Sequence, residues 1–187
     1  KAFLVISDGC SSGGQTDIGS RLMARKLLKQ ARHFFIFNQK TPSNLGWYDI
    51  AKNDLDFLAL CPQDAYTTAL SCYANQNVLS THIYGDGVIA FVQDSGTMRL
   101  ERLEWQNNTP FYPMYASQVG KELGLYDRFI NEHKNVKTPF TQTTAIIQDG
   151  QVIFSKNTAH PLELGISGVK FRIETEELSH LKLVALF

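Results

Sequence analysis

The sequence has no excess of charge of either sign. Lysine plus arginine and aspartate plus glutamate number 18 each among 187 residues, so the formal net charge is zero. A chain without net charge has no long-range electrostatic attraction to nucleic acid or to an anionic membrane surface, so we expect neither as a partner. No stretch approaches the ~18 consecutive apolar residues of a membrane span, and the first apolar run is far too short for a signal peptide. We therefore predict a soluble protein.

Cysteine is also scarce. The three positions, Cys10, Cys61 and Cys72, are an odd number and have no metal-type spacing. Nothing indicates a disulfide framework, so we predict reduced thiols and a cytoplasmic location.

The length of 187 residues suits one domain spanning residues 1–187. The chain opens directly on a strand-like run and stops on the apolar strand pattern "HLKLVALF". A buried strand rarely finishes a domain without a turn or cap, so we expect the domain to be incomplete at both ends.

Apolar periodicity and turn residues predict an α+β fold rather than alternating α/β. Residues 1–7 read as a covered interior strand, and helices are predicted from Thr16, between Trp47 and Leu60, and over 117–132. The strongest hairpin signal is "AIIQ-DG-QVIF", because Asp-Gly fits the left-handed positions of a type I′ turn. Further strands are predicted in "AYTTALSCYA", "VLSTHIYGDGVIAFVQ", "VKFRIET" and "LKLVALF", with a turn at residues 94–96.

A glycine-rich loop follows the first strand. This loop has the Walker A spacing: four residues separate Gly9 from Gly14, and Gln15 and Thr16 follow. Gln15 stands where the Walker A motif has the lysine that binds phosphate. In a P-loop, the Asp8 carboxylate would also stand beside the negatively charged phosphates of the nucleotide. The predicted hairpins favour antiparallel strand pairs, whereas a nucleotide-binding P-loop domain needs parallel strands. A P-loop protein is therefore the less favoured reading, and a plain turn at positions 8–9 is the simplest one.

A second unusual segment is Gly85-Asp86-Gly87, which interrupts a long strand pattern with three residues that strands disfavour. Simple alternation places the Asp86 carboxylate in an apolar layer with Tyr84 and Val88, unless a bulge re-aims it. A buried carboxylate needs a cation, a metal or a proton. No lysine or arginine is near Asp8 or Asp86 in sequence, and glycines flank both, which suits a hard divalent ion.

The order of these blocks resembles a known family. Three segments are similar to the "DG", "GTTA" and "GDS" blocks of protein phosphatase 2C-type metal-dependent phosphatases, in a divergent bacterial-like form. They are "SDGCSSGG", "DAYTTAL" and "HIYGDGVIAF". The first follows an apolar strand, a helix separates it from the second, and a hairpin leads to the third. The resemblance covers nearly the whole chain. It implies a β-sandwich of two antiparallel sheets with helices on both outer faces.

The resemblance also implies a site. The Asp8 carboxylate would bridge two Mg²⁺ or Mn²⁺ ions in the complete domain, the Gly9 carbonyl would bind one of them, and Asp86 would serve a further, more weakly held metal. The implied activity is hydrolysis of phosphoserine and phosphothreonine in protein substrates by a metal-bridged water, with Asp8 as the catalytic candidate.

The chain departs from the family pattern in several places. Gly87 and Val88 replace serine and arginine, no histidine follows Gly9, and the acidic motif before the first block and the later Ser-Asp-Gly and Asp-Asn are missing. Missing motifs would be the signature of an alternative, a catalytically silent phosphatase-like regulatory or phosphoprotein-binding module. Because we expect the domain to be incomplete at both ends, their absence here does not discriminate between the two. With two carboxylates in this segment, we expect weak metal binding and little activity from it alone.

Other polar residues near these blocks have two readings each. Cys10, Ser11 and Ser12 are either nucleophiles activated at the start of a helix or ordinary loop residues. One interpretation of His82 is a metal ligand, or a partner of a metal ligand, near Asp86. The other is a hydrogen-bonded histidine of the sheet.

Overall fold

The computed structural model describes residues 2–10, 14–37, 52–74, 76, 78–174 and 178–187. In these ranges the chain forms nine strands in two antiparallel sheets, with five α-helices. The strands are β1 (Ala2–Ile6), β2 (Ala69–Ala74), β3 (Val78–Tyr84), β4 (Gly87–Gln93), β5 (Met98–Trp105), β6 (Phe140–Gln148), β7 (Gln151–His160), β8 (Val169–Glu174) and β9 (Leu181–Leu186). The helices are α1 (Thr16–Phe37), α2 (Lys52–Phe57), α3 (Gln118–Glu122), α4 (Leu125–His133) and α5 (Leu162–Ser167).

The two sheets face each other across an apolar core. Their strand orders are β1-β2-β3-β8 and β7-β6-β5-β4-β9, and every pairing is antiparallel. Buried side chains of both sheets form one cluster, in which the rings of Phe91 on β4 and Phe171 on β8 lie 6.4 Å apart. The predicted α+β class with two antiparallel sheets is confirmed.

A second apolar cluster joins helices to the four-stranded sheet. Met23 and Leu27 of α1 pack there with Ala69 and Tyr84, which alternate along their strands with residues of the inter-sheet core. This places α1 on the outer face of that sheet. Helical cover on the outer face of the five-stranded sheet stays a prediction, since neither cluster of described residues includes that face.

The first strand differs from its prediction. β1 was predicted as a covered interior strand, but it lies at the edge of the order β1-β2-β3-β8. Its side chains alternate between exposed and half-buried, and Leu4 is 46% exposed. The apolar character on both faces suggested burial on both sides, whereas the edge position leaves one face open to solvent.

The helix predicted over 117–132 is two helices. Gly124 adopts a left-handed conformation (φ 67°) between α3 and α4, which ends the first helix. The Ser117 hydroxyl accepts a bond of 2.9 Å from the Gly120 N–H and caps α3. The helix predicted between Trp47 and Leu60 is present as α2, and its predicted first residues, 47–51, lie outside the described residues.

Both predicted turns are confirmed. Asp149 (φ 51°) and Gly150 (φ 76°) have the two positive φ angles of a type I′ turn between β6 and β7. The turn over residues 94–96 joins β4 to β5, with a 3.0 Å bond from the Gly96 N–H to the Gln93 carbonyl. None of the described helices is long and apolar enough to cross a bilayer.

Candidate functional site

The chain beyond β1 is held against the segment that leads into β2. The Thr68 N–H donates to the Asp8 carbonyl (2.9 Å), and the Cys10 N–H donates to the Tyr66 carbonyl (2.7 Å). These bonds flank the bridge between Gly9 and Thr67, so this pairing uses neither the N–H nor the C=O of Gly9. The Ser7 hydroxyl adds a bond of 2.7 Å to the Thr68 carbonyl. Asp8 therefore projects from a fixed backbone.

Gly9 has a packing role that its sequence context did not reveal. A Cβ atom at this position would lie 2.5 Å from the Cβ of Thr16 and 2.6 Å from the Thr16 carbonyl oxygen. The first residue of α1 thus approaches the backbone of Gly9 more closely than any side chain at position 9 would permit. A glycine at this position lets the helix begin beside Asp8.

The Gly85-Asp86-Gly87 segment is the crossing from one sheet to the other. β3 ends at Tyr84 in the four-stranded sheet, and β4 begins at Gly87 in the five-stranded sheet. Gly85 has a left-handed backbone (φ 84°). The prediction of one continuous strand, with Asp86 in its apolar layer, is therefore wrong, because the two glycines allow the chain to leave the first sheet. Asp86 is half-buried on this crossing.

Asp8, Gly9 and Asp86 meet at one cavity of about 560 Å³. The sequence predicted that these three residues act together, and the fold brings them to the same place from segments far apart in the chain. The other lining residues come from the same two neighbourhoods and from the chain after β5: Cys10, Tyr66, Thr68, Asn108, Thr109, Pro110, Tyr112 and Tyr115.

The two carboxylates interact electrostatically. Burial raises the pKa of Asp86 above its ordinary value, and the negative charges of Asp8 and Glu104 raise it further, against the opposing effect of its own backbone N–H. Asp8 is exposed. A cation placed between the two carboxylates would relieve this repulsion.

The donor atoms at the cavity suit a hard divalent cation. Two carboxylates and a backbone carbonyl are the oxygen ligands that Mg²⁺ and Mn²⁺ prefer. Within the described ranges, no group of three or more His, Cys, Asp or Glu side chains is arranged to hold a metal.

One wall of the cavity is a cluster of three tyrosines, Tyr66, Tyr112 and Tyr115, which we call the tyrosine triad. Tyr66 stacks on Tyr112 with centroids 5.5 Å apart, and Tyr115 meets Tyr66 at 5.1 Å and Tyr112 at 5.6 Å, both edge to face. Burial raises the pKa of all three hydroxyls, so they are neutral near pH 7. No pattern in the sequence predicts this cluster, although the two tyrosines of "FYPMY" lie close to one another.

The other candidate residues named from the sequence lie at different places in the chain. Cys10 lines the cavity and contacts the Tyr112 side chain, and Ser11 and Ser12 lie outside the described residues. His82 is buried against Tyr84, with ring centroids 4.2 Å apart, and is not among the residues that line the cavity. The second reading of His82, a residue of the sheet, agrees with this position.

The loop before α1 differs from a phosphate-binding loop. The Gln15 N–H donates a bond of 2.7 Å to the Asp64 carboxylate, which occupies an amide that a phosphate would need. The described strands are also all antiparallel, whereas a P-loop domain is built on parallel strands. Both observations weigh against the nucleotide-binding reading.

No family model, curated protein or solved structure matches this chain. The fold and the cavity define it as an α+β protein of two antiparallel sheets whose candidate site combines two carboxylates with an aromatic wall.

Proposed function

We propose that the protein is a metal-dependent phosphatase with a phosphatase 2C-like fold that acts on phosphoserine and phosphothreonine in proteins. The observation that carries this proposal is the position of Asp8, Gly9 and Asp86 on one cavity, although Asp8 and Asp86 come from distant segments. The block order described above and the two antiparallel sheets support the same family.

The residues present fit the proposed cations. Asp8 would bridge two Mg²⁺ or Mn²⁺ ions, the Gly9 carbonyl would bind one, and Asp86 would hold a further ion. Such ions lower the pKa of bound water and neutralise phosphate oxygens when they are present. The protein holds Asp8 at a fixed strand end, and the cavity of about 560 Å³ is large enough for a phosphorylated side chain.

A positive charge near the cavity supports an anionic substrate. The guanidinium of Arg128 on α4 is close enough to Tyr66 to oppose the rise of its pKa. Because Arg128 is exposed, its charge would attract a phosphate group during approach rather than hold it tightly.

The test is Asp8→Asn in the full-length protein. We expect loss of Mn²⁺-dependent hydrolysis of a phosphoserine peptide, together with weaker Mn²⁺ binding measured by calorimetry, while the circular dichroism spectrum and Tm stay close to the original. Asp94→Asn, in the turn between β4 and β5, is the matched control. Unchanged turnover in Asp8→Asn would rule out Asp8 as a metal ligand.

A second candidate is the catalytically silent module that binds phosphoproteins. It is favoured by the small number of metal ligands, because the described residues include no group of three or more at one place. This candidate predicts binding of a phosphoserine peptide without release of phosphate, and binding that survives removal of divalent ions by a chelator.

A further inference from the structure

The tyrosine triad and the carboxylates line the same cavity, so one ligand can contact both. Metal and phosphate chemistry needs oxygen donors and cations, and neither requires three packed aromatic rings. Aromatic side chains at such a place offer apolar area and ring contacts to a bound molecule. Tyr115 also packs against Phe111 and Phe129 of the core, so its ring is held in place at the wall of the cavity.

The rings do not contribute equally to the surface. Tyr112 is buried and stacks on Tyr66 at an interplanar angle of 13°. Tyr66 and Tyr115 are half-buried and meet at 81°. Two perpendicular rings form a corner in which a third ring can stack on one tyrosine while meeting the other edge to face, the two arrangements that aromatic pairs prefer.

The packing argues against a cage for a methylated ammonium group. In such a cage, the cation sits between ring faces that stand apart. The triad rings contact one another, with centroids between 5.1 and 5.6 Å apart, so their faces leave no room for a cation between them. A flat ring lying against the outside of the triad fits this arrangement better.

We propose that the tyrosine triad binds an aromatic ring of the substrate that is part of the phosphorylated residue or of its immediate neighbour. This inference rests on the proposed metal-dependent phosphatase activity, and it either narrows the substrate class to phosphoserine beside an aromatic residue or changes it to phosphotyrosine. Consecutive Cα atoms are about 3.8 Å apart, so a ring bound beside the carboxylates in a cavity of about 560 Å³ belongs to one of these two residues. The ring is either that of phosphotyrosine or an aromatic side chain next to phosphoserine.

The first experiment compares three peptides that differ at the relevant ring. One carries phosphoserine followed by phenylalanine, one carries phosphoserine followed by leucine, and one carries phosphotyrosine followed by leucine. The original protein should hydrolyse at least one ring-containing peptide with a kcat/KM about tenfold above that of the phosphoserine–leucine peptide, since a well-placed ring pair contributes up to about tenfold. Which of the two ring-containing peptides is preferred identifies the source of the ring.

Variants at position 115 test whether the triad causes this preference. Tyr115→Leu should lower kcat/KM for the preferred peptide about tenfold more than kcat/KM for the phosphoserine–leucine peptide. Tyr115→Phe keeps the ring and should preserve the preference. An equal loss for all peptides in Tyr115→Leu, or no preference in the original protein, would overturn the inference. Tyr66→Leu serves as a second variant if Tyr115→Leu does not fold.

A binding measurement separates this inference from the proposed function. Phenylphosphonate and methylphosphonate differ in the ring and are not hydrolysed, and their binding in the presence of Mg²⁺ can be followed by NMR. If no peptide is hydrolysed, the phosphatase proposal fails, and tighter binding of phenylphosphonate that disappears in Tyr115→Leu still supports the ring site. Equal binding of the two phosphonates, or binding of neither, together with no difference among the three peptides, would overturn it.

Discussion

The indole N–H of Trp105 donates a hydrogen bond of 3.0 Å to the carbonyl oxygen of Gly85. Trp105 ends β5 and is buried, with its ring stacked on Phe140 at 5.2 Å and edge-on to Phe129 at 5.6 Å. Gly85 directly precedes Asp86 on the crossing between the sheets. The inter-sheet core therefore fixes the backbone that carries one of the two candidate carboxylates.

Trp105→Phe should destabilise the protein by about 1–3 kcal/mol, because the buried Gly85 carbonyl loses its donor. Urea denaturation measures this loss. Hydrogen exchange at the Asp86 amide should also become faster, since the crossing loses an anchor. Phe140→Leu removes a stacked ring but keeps the hydrogen bond, so it should destabilise the fold without this local effect on exchange. Equal exchange rates at Asp86 in the two variants would contradict the anchoring role.

Asp64→Asn should lower the free energy of unfolding by about 2 kcal/mol. The buried carboxylate accepts bonds from the N–H groups of Gln15 (2.7 Å) and Cys61 (2.9 Å) and from the Cys61 thiol (3.0 Å). An asparagine would turn an amide donor toward one of these donors. Thermal denaturation at neutral pH tests this expectation, and an unchanged Tm would contradict it.

Asp64 also predicts how stability depends on pH. The hydrogen bond from the Cys61 side chain, then those from backbone amides, lower its pKa in the folded state. The carboxylate therefore adds stability above its ordinary pKa of about 4, and this contribution is lost as the pH falls through the lower folded value. The stability gap between the original protein and Asp64→Asn should shrink on acidification below about pH 4. A constant gap down to pH 2 would contradict this sign.

Gly19→Ala should destabilise the protein by 2 kcal/mol or more, on the order of other overpacking changes. A Cβ at position 19 would overlap the carbonyl oxygen of Asp64, because α1 lies directly on the turn formed by Pro62–Ala65. Alanine favours helices over glycine by about 1 kcal/mol, so helix propensity alone predicts the opposite sign. Arg25→Ala, at an exposed position of the same helix, is the control and should change stability by less than about 0.5 kcal/mol.

Glu101→Gln should cost about 2–4 kcal/mol. This carboxylate is fully buried, pairs with Arg99 through a 2.6 Å bond from Nε, and accepts bonds from Gln142 (2.9 Å) and Thr144 (2.7 Å). The amide would leave Arg99 without its anion. Glu104→Gln, in the exposed pair with Arg102, is the matched control and should cost less than about 1 kcal/mol. Similar losses in the two variants would show that burial does not set the cost.

The elements that the sequence predicted well are those that local chemistry decides. Asp149 and Gly150 form their turn because the two residues favour positive φ, whatever surrounds them. The meeting of Asp8, Gly9 and Asp86 at one cavity is expected from the resemblance of the block order to the phosphatase family, and local propensity alone does not predict it. Their role as metal ligands stays a prediction.

The features that the sequence did not predict depend on contacts between distant segments. The break between β3 and β4 requires the two sheets to separate at Gly85, and the residue that anchors this point, Trp105, lies 20 positions later. The tyrosine triad joins Tyr66, before β2, to residues after β5. The periodicity of one segment does not predict contacts of this kind, because the residues that meet lie neither on one helix face nor on one strand face.

The crossing at Gly85–Gly87 has a thermodynamic consequence for the cavity. Asp8 is bonded through its carbonyl to the Thr68 N–H, and Asp86 lies two residues after Tyr84, which pairs with Ala69, the residue after Thr68. Backbone hydrogen bonds of the four-stranded sheet therefore link the two carboxylates, although Asp86 leads into a strand of the other sheet. A compact acid state that keeps its secondary structure but loses fixed side-chain packing would keep the two carboxylates near each other. Ligand binding at this cavity would then report the strand content more directly than the rigidity of the sandwich interior.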